Sequence, residues 1–339
     1  MILYFGNMLS QHGYTPTALE LLIPHLKKKY EVISSSSLKN PIFRMFHMIY
    51  CFFKYKKQTK LVLVDTYSTW AFYYALIICV LSKLFSKPYM PILHGGDLKK
   101  RLQINPQLSH YLFSNAFINV SPSLYLHSIF KDNGFNVLYI PNFIDVSQYS
   151  YLKRKNTKPK LLWVRSLHRI YNPCMAIRVL HELKKTNEEA ELCMVGPFKD
   201  NSVKEVKLLA EKLSVAKSLK ITGMLTKPQW IELSKEYDIF INTTNFDNIP
   251  VTLLESMALG LPIVSTDVGG IPNLLTHNFT AKLVKPNDIL GMVSNIYDYL
   301  SDDKKRLEIS SNARNMIENN FNREIVIKQW HHLIDKIVL

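Results

Sequence analysis

Two carboxylates in the stretch NFDNIPVTLLES (residues 245–256) have a spacing that could bind a ligand. Asp247 and Glu255 are separated by seven residues, and Glu255 is the only charged residue from Asn248 to Thr266. A carboxylate buried in an apolar helix without a partner is costly. Two explanations are therefore open for Glu255: it binds a ligand, or it pairs with a basic side chain in the core.

The residues between these carboxylates predict the start of a helix. Pro250 suits the first helical position, because its fixed φ and missing N–H cost nothing there, and Gly260 is a natural C-terminal stop. The free backbone amides of Val251 and Thr252, together with the positive end of the helix, would then form an anion site. Phosphate is the usual occupant of such a site.

Glu255 shares a helix face with these amides, since it follows them by three and four residues. From about one turn away, its carboxylate could accept two hydrogen bonds from a ribose diol attached to the phosphate. Asp247, in the preceding loop, could accept hydroxyl hydrogen bonds from whatever group the phosphate carries. The alternative for Asp247 or Asn248 is a simple helix N-cap.

Short apolar strands alternate with amphipathic helices along the chain, a pattern typical of α/β architecture with parallel sheets. The pattern restarts after the polar, basic segment SQYSYLKRKNTKPK (147–160), which we interpret as a linker. The sequence therefore predicts two doubly wound, Rossmann-like domains, 1–145 and 158–321, with an interdomain cleft for ligands at the carboxyl ends of the strands. We expect the last helix, about 322–339, to pack back on the first domain.

The segment DNIPVTLLESMALGLPIVSTDVGGIPNLL, followed by AKLVKPND, resembles the second-domain signature of the retaining glycosyltransferases of family four, which have the GT-B fold. The resemblance implies a hexosyl- or related glycosyltransferase. Such an enzyme would move a sugar from a UDP- or GDP-sugar to a hydroxyl of a glycan or lipid-linked glycan, with retention of anomeric configuration. Its pathway would be cell-envelope polysaccharide or glycolipid biosynthesis.

The same resemblance implies roles for residues by position. Glu255 would bind the ribose hydroxyls, Asp247 the transferred sugar, and Arg165, in WVRSLHRIYNP, the diphosphate. His94, in PILHGGD, falls beside the sugar at the end of a first-domain strand. The implied catalytic residues are His94, Asp247 and Arg165, and the implied donor-binding residues are Glu255, Val251, Thr252, Asn248, Gly13, Thr226 and Arg169.

Two of these residues lie in loops. Gly13, in SQHGYTPT, belongs to the first loop, whose backbone approaches the phosphate or the acceptor in the family. Thr226, in GMLTKPQW, belongs to the loop that lines the base pocket.

The chain also departs from the family pattern. The signature starts with Asp247 where Glu is most common, and Asn273 stands where a Glu is common. A Lys normally follows the Arg by about five residues, but this region reads HRIYNP, and Arg169 or His168 could supply the missing charge. The first loop has one glycine where a pair is usual.

No D-x-D motif occurs in the chain. A metal-dependent transferase would need such carboxylates, so we expect no metal and no other cofactor, with the helix end and Arg165 neutralising the diphosphate. The four cysteines show no metal-like spacing, which indicates a reduced, cytoplasmic compartment. The N-terminus MILYFGN lacks a signal-peptide pattern.

The net charge of +15 favours an anionic partner. The segment PIFRMFHMIYCFFKYKKQTK (41–60) mixes aromatic and basic residues, and two interpretations stay open. It could be an interfacial helix on anionic lipid, which would place the protein at the inner face of the membrane, or a core-packed helix with a solvated basic end. No nucleic-acid reader motif occurs, so nucleic acid is not expected as a partner.

Two other functions remain alternatives to sugar transfer. A nucleotide-sugar epimerase would share the two-domain architecture and would convert the donor without an acceptor. A non-catalytic nucleotide-sugar-binding protein would bind the diphosphate without turnover, and the missing Lys is the sequence feature that favours it.

Overall fold

The computed structural model describes residues 1–12, 16–95 and 97–338. The chain forms two compact units: the first unit comprises Met1–Phe143 and Arg323–Leu339, and the second unit comprises Ile144–Asn322. Each unit is built on a parallel sheet of six strands within the described residues. The prediction of two doubly wound α/β domains is confirmed.

The first unit contains a parallel sheet with the strand order β2-β1-β3-β4-β5-β6. Its strands are β1 (Ile2–Phe5), β2 (Val32–Ser35), β3 (Leu61–Thr66), β4 (Tyr89–Leu93), β5 (Asn119–Ser121) and β6 (Val137–Tyr139). The continuous apolar runs ILYF and LVLV form β1 and most of β3 and are buried throughout. Such runs are expected for inner strands of a sheet that is covered on both faces.

Helices cover both faces of this sheet. The helices that precede the second unit are α1 (Ala18–Leu26), α2 (Pro41–Tyr55), α3 (Ala71–Leu84), α4 (Leu98–Ile104), α5 (Pro106–Ser114) and α6 (Leu124–Asp132). Side chains alternate along β1: Leu3 and Phe5 pack with α2 and α3, whereas Ile2 and Tyr4 pack with α1 on the other face.

The second unit repeats the architecture with the strand order β12-β11-β10-β7-β8-β9. Its strands are β7 (Lys160–Val164), β8 (Glu191–Val195), β9 (Leu219–Gly223), β10 (Ile239–Asn242), β11 (Ile263–Thr266) and β12 (Lys282–Val284). Its helices are α7 (Pro173–Lys184), α8 (Ser202–Lys212), α9 (Lys227–Leu233), α10 (Val251–Ala258), α11 (Ile271–Leu274), α12 (Ile289–Ser301) and α13 (Asp303–Met316). Strands β7 and β10 are direct neighbours, so the loops that follow them emerge side by side.

The final helix, α14 (Arg323–Val338), follows the second unit in sequence but belongs to the first. Val326, Trp330, Leu333 and Ile334 join the core that contains Ile2, Tyr4 and α1. The Tyr30 hydroxyl also donates to the Asp335 carboxylate over 2.7 Å. α14 thus covers the same face of the first sheet as α1.

The segment 147–160 is not the linker that its composition indicated. Arg154 is buried and its guanidinium donates to the backbone carbonyls of Leu152, Ser234, Tyr237 and Leu259. These carbonyls offset the cost of burying the charge. The boundary between the units therefore falls after Phe143, earlier than the span of 145 to 158 expected from sequence.

Candidate functional site

The loop after β10 carries Asp247 and Asn248 and is packed against the Gly-Gly loop after β11. The amide of Gly270 donates to the Asp247 carbonyl over 2.9 Å. A Cβ atom at Gly269 would lie 2.0 Å from the Asp247 carbonyl oxygen, and one at Gly270 would lie 1.9 Å from the Asn248 carbonyl oxygen. Because no side chain fits there, these glycines fix the backbone that presents Asp247.

Arg165 and Asp247 form an ion pair through Nη2 and Oδ2. Arg165 directly follows β7, and its amide donates to the Val195 carbonyl over 2.9 Å. Gly196, which directly follows β8, packs closely against the Arg165 backbone. A Cβ atom at Gly196 would lie 1.9 Å from the Arg165 carbonyl oxygen, so no side chain fits there either. The structure therefore brings together two residues that the resemblance assigned to different parts of a ligand.

The surroundings of the Arg165 guanidinium leave part of it available. Its Nε is buried without a hydrogen-bond partner. The central carbon of the guanidinium, Cζ, lies 4.3 Å from the centre of the Tyr171 ring. Burial lowers the pKa of Arg165 from its ordinary value, while Tyr171 acts in the opposite direction. Tyr171 lies in the HRIYNP stretch, where the resemblance would place a Lys, and it contributes a ring face beside the arginine.

Glu255 is buried, with 3% of its surface exposed. Its Oε1 accepts a 2.7 Å hydrogen bond from the Tyr149 hydroxyl and lies 3.0 Å from Lys227 Nζ. Burial, followed by the nearby Glu255 charge, raises the pKa of Tyr149 far above its ordinary value. The core pairing that the sequence left open is therefore present, and both contacts fall on a single carboxylate oxygen.

Neither partner of Glu255 was identified from the sequence. Tyr149 lies in the segment misread as a linker. Lys227 is the first residue of α9, directly after Thr226 in the GMLTKPQW loop that the resemblance had already selected. A lysine at that point was a signal that could have been used.

Helix α10 begins one residue later than expected. Pro250 is the N-cap, with extended backbone angles, and Val251 is the first helical residue. The Leu253 amide donates to the Pro250 carbonyl over 3.0 Å, which leaves the Val251 and Thr252 amides as the first amides of the helix. The prediction that Gly260 ends the helix is confirmed: its φ is +72°.

Two side-chain atoms at the start of α10 are buried without hydrogen-bond partners. They are Thr252 Oγ1 and Asn248 Oδ1. Buried polar atoms normally have a protein or water partner. Unsatisfied atoms beside free helix amides are compatible with a polar ligand at this place.

The turn 168–171 adjoins the Asp247 loop through Asn245, whose amide donates to the Ile170 carbonyl over 2.8 Å. The Arg169 amide donates to Asp200 Oδ2 over 3.0 Å, and the Arg169 side chain is 75% exposed. Hydrogen bonds from Ser202 and from the Arg169 amide hold the pKa of the Asp200 carboxyl well below its usual range. The turn is thus anchored by Asp200, which also lies 3.7 Å from the Nε of the largely exposed Arg169 guanidinium.

Thr226 has a structural role of its own at the start of α9. Its amide and hydroxyl both donate to Gln229 Oε1, over 2.9 and 2.8 Å. This pairing is a helix-capping arrangement. Any contact between Thr226 and a base would have to coexist with it.

In the first unit, His94 directly follows β4 and is buried. Its Nε2 lies 3.0 Å from Asp65 Oδ1, which also accepts a 3.0 Å hydrogen bond from the Tyr4 hydroxyl. The Tyr67 ring stacks on the imidazole with centres 4.9 Å apart. Sequence reasoning identified His94 but not Asp65, although a carboxylate at the end of the buried strand LVLVD was a usable signal.

Asp65 Oδ2 is buried without a hydrogen-bond partner. A Cβ at Gly6 would lie 2.6 Å from this oxygen, so the absence of a side chain there makes room for the carboxylate. Burial, reinforced by the Asp65 charge, raises the pKa of Tyr4 well above its ordinary value. Asp65 thus holds His94 and Tyr4 through one oxygen and has the other available.

Gly13, which was expected to contribute its backbone, lies outside the described residues. Among the residues that are described, no three His, Cys, Asp or Glu side chains are grouped so that they could share a metal ion. Within the same residues, every helix falls short of the length and apolar character needed to cross a bilayer.

A family model matches the segment that contains three of the candidate site residues. The model described as glycosyl transferases group 1 matches residues 150–316, which include Arg165, Asp247 and Glu255. This segment is similar to that family, and the two parallel sheets with surrounding helices form the GT-B fold. The resemblance stated from the sequence is confirmed at this level.

Sequence relatives and a solved structure agree with this placement. The N-acetyl-alpha-D-glucosaminyl L-malate synthase of Bacillus anthracis is 24% identical over 256 residues, which cover 70% of this chain and 65% of that protein. The putative colanic acid biosynthesis glycosyltransferase WcaL of Salmonella typhimurium is 25% identical over 150 residues, 42% of this chain and 36% of that one. The alignments thus span less than two thirds of these relatives. Anabaena Alr3699/HepE, solved in complex with UDP, superimposes with a TM-score of 0.79 at 15% identity, over 99% of both chains.

Proposed function

We propose that this protein transfers a sugar from a nucleotide-diphosphate sugar to a hydroxyl acceptor, with retention of anomeric configuration. The observation that carries the proposal is the grouping of Arg165, Asp247 and the first amides of α10. These groups follow the neighbouring strands β7 and β10, and they combine a guanidinium with a helix N-terminus. Both features bind phosphate oxygens.

The donor would be held in three parts. The Val251 and Thr252 amides and Arg165 would bind the diphosphate, and Glu255 Oε2 would accept hydrogen bonds from the ribose hydroxyls while Oε1 keeps its contacts with Tyr149 and Lys227. Asn248 and the loop before α9 would complete the nucleotide site. A UDP-sugar is the donor that we favour, because HepE, which has the same fold, was solved with UDP.

The chemical step would use charge stabilisation without a metal. Negative charge grows on the leaving diphosphate as the sugar departs, and preorganised donors in a water-poor site stabilise such charge strongly. Arg165 and the α10 amides are the donors proposed for this task. Asp247 would contact the sugar. In the first unit, Asp65 would orient the ring of His94, the residue that the resemblance assigns to the sugar, through Nε2.

The Arg165–Asp247 ion pair fits a switch between two states of the site. In this pair each charge neutralises the other. When a diphosphate arrives, Arg165 could turn part of its guanidinium toward it, and Nε, which is buried without a hydrogen-bond partner, could then donate to the ligand. Asp247 would then be left free to accept a sugar hydroxyl.

The acceptor that we propose is a glycan or lipid-linked glycan of the cell envelope. Its support is the name of the relative WcaL, a putative colanic acid biosynthesis glycosyltransferase. The placement of the reaction in the cytoplasm is part of the same proposal.

The experiment that tests the function is an incubation of the protein with UDP- and GDP-sugars, with and without glycan acceptors. Release of nucleotide diphosphate that requires an acceptor, and a product whose anomeric proton shows the donor configuration by NMR, would agree with the proposal. Conversion of the donor without acceptor would identify an epimerase. Thermal stabilisation by nucleotide diphosphate, about 2.7 kcal/mol at a hundred times Kd, with no turnover would identify a binding protein.

A further inference from the structure

Helix α2 has two apolar faces, of which only one packs into the first unit. Its inward face consists of Arg44, Met48, Cys51 and Phe52, all buried. A helix that covers one sheet needs a single apolar stripe, with polar residues opposite. The second face of α2 does not follow this rule.

The outward face is aromatic and exposed. Phe43, Phe46, Tyr50 and Phe53 have 64%, 59%, 58% and 45% of their surfaces exposed. Their spacing of three, four and three residues places them on one side of the helix, and Ile42, 62% exposed, extends the stripe at its start. Such a continuous exposed apolar stripe marks an interaction surface.

The end of this stripe joins the end of α3. The Phe53 and Phe85 rings meet edge to face with centres 5.7 Å apart, and Lys56 Nζ lies 3.8 Å from the Phe85 ring centre. Leu84, beside them, is 71% exposed. The apolar surface therefore continues from α2 onto α3, with a lysine at the junction.

The chain segment that forms this surface carries charge of almost one sign. Between Glu31 and Asp97 the chain contains a single acidic residue, Asp65, and that residue is buried. The same interval contains the basic residues Lys39, Arg44, Lys54, Lys56, Lys57, Lys60, Lys83 and Lys87. A protein surface partner would have to be strongly acidic to match this charge, whereas an anionic lipid surface matches the charge and the aromatic stripe together.

We propose that the outward face of α2, with the adjoining end of α3, docks this protein on an anionic lipid bilayer. The helix would lie in the plane of the interface, with Phe43, Phe46 and Tyr50 inserted among the headgroups and Lys54, Lys56 and Lys57 against the lipid charges. This inference goes beyond sugar transfer and does not depend on it. It also joins the two interpretations left open for this segment, since one face of α2 is core and the other is interfacial.

The test uses sedimentation of the full chain with vesicles of phosphatidylcholine alone or with about 30% phosphatidylglycerol. We expect binding to the anionic vesicles at about 50 mM salt and much weaker binding at about 500 mM, because salt screens charges at the surface. Replacement of Lys54, Lys56 and Lys57 by Glu should weaken binding about a hundredfold, since each basic side chain near such a surface contributes about fivefold. The matched control is Lys204→Glu, Lys207→Glu and Lys212→Glu on α8, with the same change in net charge, and it should bind like the parent.

A second variant tests insertion. Phe43→Ser, Phe46→Ser and Tyr50→Ser together should weaken vesicle binding about tenfold or more at low salt, because interfacial binding scales with buried apolar area. Leu208→Ser, at a 66% exposed position of α8, should leave it unchanged. In Phe46→Trp, brominated lipid should quench the added fluorescence.

Several results would overturn the proposal. The proposal is wrong if the parent protein does not bind anionic vesicles at low salt. It is also wrong if the serine variant binds them as tightly as the parent. A dimer that the serine variant dissociates, with no vesicle binding by the parent, would assign the face to a second copy of this chain. Since none of these readouts requires turnover, failure here is distinguishable from failure of the proposed transferase activity.

Discussion

The Tyr149 hydroxyl donates to the buried carboxylate of Glu255 although the two residues are 106 positions apart. The bond connects the segment before β7 with helix α10 and points the donor at the same oxygen that Lys227 approaches. It fixes the rotation of the carboxylate. A ligand that binds the other oxygen therefore meets a carboxylate that is already oriented.

Tyr149→Phe should lower the free energy of unfolding by roughly 1.5–3 kcal/mol, the range for hydrogen bonds to charged groups. The measurement is chemical denaturation at neutral pH. Tyr50→Phe, at an exposed position of α2, is the control and should change stability by less than about 0.5 kcal/mol. Equal stability of Tyr149→Phe and the parent would contradict the role given to this bond.

Glu255→Ala should weaken the binding of nucleotide diphosphate by roughly 1.5–3 kcal/mol, if its free oxygen holds the ribose hydroxyls. Isothermal titration calorimetry measures this directly. Glu232→Ala removes an exposed carboxylate from α9 and should bind like the parent. If both variants bind nucleotide diphosphate equally well, the ribose assignment is wrong.

Mutations of Arg165 and Asp247 should affect turnover and nucleotide diphosphate affinity differently, although the two residues form an ion pair. Arg165→Ala should lower turnover by roughly 10²–10³-fold, as the loss of one preorganised donor does, and should also weaken nucleotide diphosphate. Asp247→Asn should lower turnover without weakening that affinity. Steady-state kinetics with calorimetry separates the two effects, and Arg178→Ala, on the exposed face of α7, is the control. Matching losses of affinity in both variants would mean that Asp247 acts only through Arg165.

Asp65→Asn tests whether the first unit contributes to the chemistry. If Asp65 positions His94, its loss should lower kcat by about a hundredfold, the cost of a small misplacement of a reacting group. His94→Ala should show a similar loss, and nucleotide diphosphate affinity should stay unchanged in both. Tyr4→Phe removes the other donor to Asp65 and reports the purely structural effect. A kcat for Asp65→Asn no lower than that of Tyr4→Phe would argue against positioning.

Asp200 should make stability depend on pH. Because its folded pKa lies below the ordinary value, its contribution is fully present above about pH 3.9, where the unfolded carboxyl is ionised. It is lost as the pH falls toward the folded pKa. Asp200→Asn should therefore cost roughly 1–2 kcal/mol at pH 7 and progressively less in acid, as measured by denaturation at several pH values. A difference that grows on acidification would contradict this sign.

The strands of both sheets could be predicted because buried parallel strands are short apolar runs. ILYF coincides with the buried strand β1, and ELCMV coincides with β8, which is buried from Leu192 to Val195. LKITG coincides with β9, an edge strand that is only partly buried. Strand β12 could not be predicted, because Lys282 interrupts the apolar run of its three residues. Pro106 divides the helical segment after Gly96 into α4 and α5, so that neither piece shows the periodicity of a longer helix.

The site could be predicted where one short segment contains the chemistry. Asp247, the α10 amides and Glu255 lie within a few residues of one another, so spacing alone indicated their arrangement. The partners of these residues were not visible: Tyr149 and Lys227 reach Glu255 only through tertiary folding. Arg154 shows the same limit, because a polar, basic segment gives no sign that backbone carbonyls from distant positions enclose its charge.

The passage of α14 back to the first unit has a consequence for synthesis on the ribosome. The chain emerges from the ribosome N-terminus first. The apolar face formed by Ile2, Tyr4 and α1 therefore stays uncovered by Trp330 and its neighbours until the whole second unit has been translated. During that interval the nascent first unit presents an apolar surface that chaperones or other nascent chains can reach. The second unit has no such delay, and it can complete its core before the unit that precedes it in sequence.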